Sequence, residues 1–158
     1  MDDEIQISVS LPLDSDGFLR RECPHCMSEF KWHNGPANEE AEGHAPPPAY
    51  YCPRCGQPAG PDSWFTAAQL EYIEGATAPT IASIIHDELG GLFKGMSSKH
   101  VKVTQTGHVD MPELPDPLSE PDDMMIVASP CHGYEPVKVP ERHTGPLYCL
   151  ICGSAFAV

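Results

Sequence analysis

The chain has 158 residues, with 9 Lys and Arg against 23 Asp and Glu, for a formal charge of −14. Leu, Ile, Val and Phe together make up 31 residues and Gly and Pro another 31, a composition too poor in large apolar side chains for burial alone to hold a fold. Apolar runs of only a few residues exclude a bilayer-spanning helix, and the acidic balance opposes generic attraction to phosphate backbones or anionic membranes.

The N-terminal MDDEIQ has neither the basic start nor the apolar stretch of a secretory signal. The expectation is a cytoplasmic protein, in which paired cysteines bind metal rather than one another. Residues 4–9, EIQISV, alternate as an edge strand does. GFLRREC then leads into Cys23-Pro24-His25-Cys26, and Glu29-Phe30-Lys31-Trp32 leads away. This reads as a strand, a tight knuckle and a returning strand, with Phe18, Leu19, Phe30 and Trp32 as the hairpin's apolar material. From Asn34 to Pro48 the composition turns to Gly, Pro, Ala and Glu, which predicts a solvated loop without means of packing. Tyr50-Tyr51 enter the next knuckle, Cys52-Pro53-Arg54-Cys55-Gly56.

A helix is predicted over about 66–94. Thr66 and Gln69 have capping-box spacing, and Phe65 and Leu70 are placed as a hydrophobic staple. Leu70, Ile73, Thr77, Ile81, Ile84, Glu88 and Leu92 trace one face at helical spacing, with Ile85, Leu89 and Phe93 beside it. Gly75 and Pro79 interrupt the pattern but not its phase, so the reading is one long helix kinked near Pro79, with two helices as the alternative. Gly90-Gly91 or Gly95 should end it. The apolar face is expected to pack as core or as a lid over the hairpins, ahead of a partner site.

Val101-Lys102-Val103 reads as a short strand. Residues 110–123, DMPELPDPLSEPDD, hold four prolines and six acids without a base, the pattern of an extended, solvated linker. It divides the chain into a unit over 1–109 and a second over 124–158, in which Met124–Ala128, Val137–Val139, Pro146–Tyr148 and Ala155–Val158 are short strands.

The cysteines carry the chemistry. Cys23-x-x-Cys26 and Cys52-x-x-Cys55, with 25 residues between the pairs, supply four soft ligands from two knuckles, the set a tetrahedral zinc ion needs. Pro24 and Pro53 stiffen the turns, and Gly56 gives the backbone room to bend behind the second thiolate. Downstream, Cys149-Leu150-Ile151-Cys152-Gly153 has the same form as Cys52–Gly56, but its partner is Cys131-His132 rather than C-x-x-C. Three thiolates need a fourth ligand, and His132 is preferred because it is local to the knuckle; His143, six residues before Cys149, is the alternative.

At the first four cysteines the chain resembles the zinc-ribbon superfamily, whose Cys-Pro-x-Cys knuckles rubredoxins share. The resemblance directly covers about 40 residues and implies two β-hairpins clamping one metal through all four thiolates. It specifies fold better than function, because ribbons occur in enzymes, polymerase subunits, nucleic-acid binders and adaptors. The fold class expected is therefore a small, metal-stabilised α+β protein, with two zinc ribbons of β-hairpins and a long helix between them. Two Zn2+ are expected, at Cys23, Cys26, Cys52 and Cys55, and at Cys131, His132, Cys149 and Cys152. No catalytic residue stands out, and the expected role is a non-enzymatic adaptor that binds another protein. Runners-up are a nucleic-acid-binding ribbon, in which Arg20, Arg21, Lys31 and Trp32 form the only basic-aromatic cluster, and a metal-dependent enzyme or iron electron carrier.

Overall fold

A computed structural model describes residues 9–96 and 113–157. The strand expected over 4–9 lies almost wholly outside the described residues, and Val101–Val103 lies wholly outside them. Leu11–Gln69 and Leu118–Val158 form one compact unit, and Met1–Ser10 with Leu70–Pro117 the other.

The larger unit is built from four antiparallel hairpins. Strands β1 (Phe18–Glu22) and β2 (Glu29–His33) flank the first knuckle, and β3 (Tyr50–Tyr51) and β4 (Pro58–Ala59) flank the second. Strands β5 (Met125–Val127) and β6 (Val137–Val139) flank Cys131-His132, and β7 (Leu147–Tyr148) and β8 (Ala155–Phe156) flank the last knuckle. The first and third hairpins join through β2 and β6 into one sheet of order β1-β2-β6-β5. The division at 110–123 expected from the sequence is thereby corrected: the C-terminal hairpins belong to the same unit as the N-terminal ones.

Strand alternation sorts this sheet into two unlike faces. Phe30, Val127, Val137 and Val139 are buried on one face with Trp64, and Trp32 and Tyr50 pack beside them. Phe30 and Trp32 meet the Trp64 ring at 5.6 and 6.0 Å. On the other face the register sets Arg20 opposite Lys31 and Lys31 opposite Lys138, a row of three cations across three strands. Like charges in register repel, and acids resolve the conflict. Asp14 Oδ2 lies 3.2 Å from Lys31 Nζ and 2.8 Å from Lys138 Nζ. Lys138 also pairs with Asp16 and Asp122, Lys31 with Glu120 and Asp123, and Arg20 with Glu29, Glu120 and Asp123. The lysines are 0% and 1% exposed.

The last six residues of the predicted linker thus have a structural task. Residues 118–123 lie against the cationic row, and Lys31 Nζ also donates to the Pro121 carbonyl. Farther back, the Pro115 ring would stand 3.2 Å from a Cβ on Gly75, so glycine is what allows this segment to approach the helix closely. A solvated linker was expected because the acids and prolines have no partner beside them in sequence; Arg20 and Lys31 lie about 90 to 103 residues away, and Lys138 lies 16 residues beyond Asp122.

Asn34–Pro48 is corrected in the same way. It contains a short helix, α1 (Glu39–Glu42), capped by Asn38, whose side chain accepts from the Ala41 N–H, and Ala41 is buried.

Helix α2 (Ala67–Met96) runs without a break through Gly75 and Pro79, and past the glycines expected to stop it. Its capping box forms as predicted: Thr66 N–H donates to Gln69 Oε1 at 3.0 Å, and Gln69 N–H to Thr66 Oγ1 at 3.1 Å. Gln69 also ties this start to β1, donating to the Arg20 carbonyl at 2.8 Å. Leu70, expected as half of a staple, is 52% exposed, and no residue from 70 to 89 is fully buried. Ile81, Ile85 and Leu89, expected as core or lid, are among the exposed large apolar side chains.

Candidate metal centres

Three of the four knuckles turn alike. In each, the first cysteine's carbonyl accepts from the N–H four residues on: Met27 to Cys23 at 3.0 Å, Gly56 to Cys52 at 2.8 Å and Gly153 to Cys149 at 2.8 Å. The residue at that fourth position has a positive φ, 60° at Met27, 79° at Gly56 and 75° at Gly153. Glycine adopts this conformation freely; Met27 is the one non-glycine in it among the described residues.

These turns bring Cys23, Cys26, Cys52 and Cys55 together, with all four Sγ atoms within 4.8 Å of one another. Sγ atoms of Cys23 and Cys55 are 3.7 Å apart, and those of Cys26 and Cys52 are 3.8 Å apart. Tetrahedral coordination with metal–sulfur bonds of ~2.3 Å requires edges of about 3.8 Å. The cluster fits that requirement. The N–H groups of His25 and Cys26 point at Cys23 Sγ, at 3.3 and 3.4 Å, and that of Arg54 at Cys52 Sγ, at 3.4 Å. Such donors stabilise thiolate charge. Burial raises the Cys26 thiol, but the Ser28 N–H and hydroxyl outweigh it and bring the group down to about 7. Burial pushes Cys52 well up, so a bound cation is what would hold that sulfur as thiolate.

The second cluster gathers Cys131, His132, Cys149 and Cys152, again within 4.8 Å. Cys131 and Cys152 Sγ lie 3.4 Å apart, and Cys149 Sγ lies 3.3 Å from His132 Nδ1. His143, the alternative fourth ligand, is engaged elsewhere: its Nδ1 accepts from Arg54 Nε at 3.2 Å and its Nε2 lies 3.2 Å from the Pro146 carbonyl. Ser129 organises this site, donating its hydroxyl to Cys149 Sγ at 3.2 Å and accepting the His132 N–H at 3.1 Å. The Ser154 hydroxyl and N–H lower Cys152 to about 6. Each of the two clusters can hold a metal ion.

The sites are joined back to back. Tyr51 N–H donates to the Leu150 carbonyl at 2.8 Å, and Tyr148 N–H donates to the Pro53 carbonyl at 2.9 Å. A Cβ on Gly56 would meet the Tyr148 ring at 2.9 Å, and one on Gly153 the Tyr51 ring at 2.6 Å. Each Tyr-Cys-x-x-Cys-Gly knuckle therefore seats its tyrosine on the other's glycine. The repeat of Tyr51–Gly56 in Tyr148–Gly153 is the signal in the sequence that foreshadowed this contact, and it reaches one residue further than the cysteine pattern alone.

The basic-aromatic cluster is dispersed. Arg20 and Lys31 belong to the ionic face, while Arg21 and Trp32 belong to the apolar one. Arg21 stacks on Trp32 and Phe65 at 5.0 and 4.7 Å, donates to Gln69 Oε1 at 3.2 Å, and is lowered to about 10 by burial. No protein family, curated protein or solved structure matches the chain. No helix of the described residues is long and apolar enough to cross a membrane.

Proposed function

We propose that this protein is a zinc-binding adaptor of zinc-ribbon type, non-enzymatic, whose two Zn2+ are structural and whose surface binds another protein. The observation that carries this reading is that both donor sets close at four ligands, leaving a tetrahedral ion no position for water or substrate. The Cys3His set of the second site also favours zinc, a usual occupant of such mixed sulfur and nitrogen sets, over the iron of a rubredoxin-like carrier. A cytoplasmic location suits this reading, because reducing conditions keep cysteines available as thiolate ligands.

Three of the cations a nucleic-acid ribbon would use, Arg20, Lys31 and Lys138, are neutralised inside the fold, which weighs against that alternative. With seven thiolates and two zinc ions the charge of −14 becomes about −17. The partner best suited is a basic protein, and the exposed row of Ile81, Ile85 and Leu89 on α2 offers apolar contact.

Elemental analysis of protein purified without added metal should give two zinc per chain. One zinc, with Cys131, Cys149 and Cys152 all freely alkylated, would remove the second site. In gel-shift titrations no DNA or RNA binding is expected at physiological salt; micromolar binding that weakens steeply as salt rises would put the nucleic-acid reading first.

A further inference from the structure

The segment expected to be an idle loop, Asn34–Pro48, helps form a cavity of about 150 Å3 that borders the second cysteine cluster: Ile151 of its last knuckle lines it, and Tyr134 packs edge-on against His132 at 5.8 Å. His33, His44, Tyr50, Tyr134 and Glu135 line it. His44 lies flat on Tyr134, with ring centroids 4.0 Å apart and an interplanar angle of 4°, and Tyr50 rests against Trp32 at 4.7 Å. Among the described residues no Lys or Arg lines the cavity, so the Glu135 carboxylate has no permanent cation beside it. His33 is held through Nδ1 at 3.0 Å from the Gly35 carbonyl.

We propose that this cavity is a binding site for a methylated ammonium group. Aromatic faces attract cations through their quadrupole, most strongly when the cation sheds water easily. A methylated ammonium does so, and it needs no set of hydrogen-bond acceptors. A primary ammonium is best held by several charged or carbonyl acceptors, and a hard metal ion by several oxygens; the cavity's only charged acceptor is the Glu135 carboxylate, set among tyrosine and histidine rings. Its volume also fits, because a cavity near 150 Å3 accepts a benzene-sized molecule. The group can come from a free quaternary amine or from a methylated lysine side chain. The inference rests on the cavity alone and is independent of the zinc-adaptor reading.

The test is an NMR titration of the zinc-loaded full chain with choline and with its neutral isostere 3,3-dimethylbutan-1-ol. Choline should shift the signals of His44, Tyr134 and Glu135 saturably, and the isostere should not. Glu135→Gln, with zinc content unchanged, should weaken choline binding about tenfold, as loss of a partly desolvated charge partner does. Equal binding of choline and isostere, or no saturable shift with choline, would overturn the proposal without bearing on the metal sites. A peptide carrying trimethyllysine completes the experiment. Binding tighter than choline assigns the site to a modified protein tail, and binding no tighter assigns it to a free amine.

Discussion

Met27 occupies a backbone conformation that its side chain disfavours. At φ 60°, in the place where the sister knuckles carry Gly56 and Gly153, an L-residue costs about 1–2 kcal/mol, while glycine costs about 0.5–1 kcal/mol in added unfolded-state entropy. Met27 is 68% exposed, so little packing is lost on its removal. Met27→Gly is expected to raise stability by about 0.5–1 kcal/mol, read as a higher urea midpoint of the zinc-loaded protein. Asp14 is the opposite case, a residue whose strain is electrostatic and satisfied. Burial raises its carboxyl, but Lys138, Lys31 and the Phe18 and Asp16 N–H groups overcome this and hold it far below the usual carboxylate range. Its folded-state pKa is lower than its unfolded one, so its contribution is present above about pH 4 and lost as the pH falls further. Asp14→Asn keeps the oxygen that accepts from Phe18 N–H but leaves two buried ammoniums undercompensated, at about 3 kcal/mol. Urea midpoints of the two proteins should differ most near neutrality and converge below pH 4. A gap constant down to pH 3 would show that the carboxylate charge is not what stabilises this face. Comparing the two proteins cancels the protonation of the metal ligands, which both share.

At the scale of elements, the two Tyr-Cys-x-x-Cys-Gly knuckles behave as one interface. A side chain on Gly153 would meet the Tyr51 ring at 2.6 Å in a backbone conformation that itself resists a Cβ. Tyr51 adjoins Cys52, a donor of the other site. Gly153→Ala is therefore expected to weaken metal retention at both clusters, measured as faster release from each in a chelator competition. Loss confined to the second cluster would show that the reciprocal contact is passive. Local chemistry of this kind was legible in the sequence. The knuckles, the flanking strands, the capping box of Thr66 and Gln69 and the preference for His132 all rest on residues within a few positions of each other, where spacing dictates geometry. The pairing of β2 with β6 was not legible, because two three-to-five-residue strands separated by a hundred residues carry no register signal. Nor was the seating of 118–123: Glu120, Asp122 and Asp123 read as solvated acids until Lys31 and Lys138 are placed on one row. The apolar row of α2 failed differently. Its period is helical, as predicted, but periodicity reports which residues share a face and says nothing of whether that face is covered.

At the scale of the larger unit, the shared sheet is expected to couple the unfolding of its hairpins. If each ribbon were its own domain, removing one metal would spare the other. Instead β2 and β6 are hydrogen-bonded neighbours, Val137 and Val139 share a core with Phe30 and Trp64, and Asp14 binds lysines from both halves. Structural zinc contributes ~10–16 kcal/mol of apparent binding free energy in small peptides, more than the ~5–15 kcal/mol net stability of an ordinary domain. With so small an apolar core, and with zinc at both clusters as proposed, the larger unit is expected to lose its structure when either ion leaves. Cys152→Ser is therefore expected to disturb the N-terminal hairpins as well as the C-terminal ones. The Trp64 indole, fully buried beside the first cluster, reports the effect: its fluorescence should shift to the red in Cys152→Ser nearly as far as in Cys52→Ser. Chelator titration of the wild-type chain should likewise give one transition, with both zinc ions and the tryptophan signal lost together. Two separate steps, or a Cys152→Ser protein that keeps its buried Trp64 emission, would restore the picture of independent ribbons and leave the β2–β6 ladder as a contact without thermodynamic consequence.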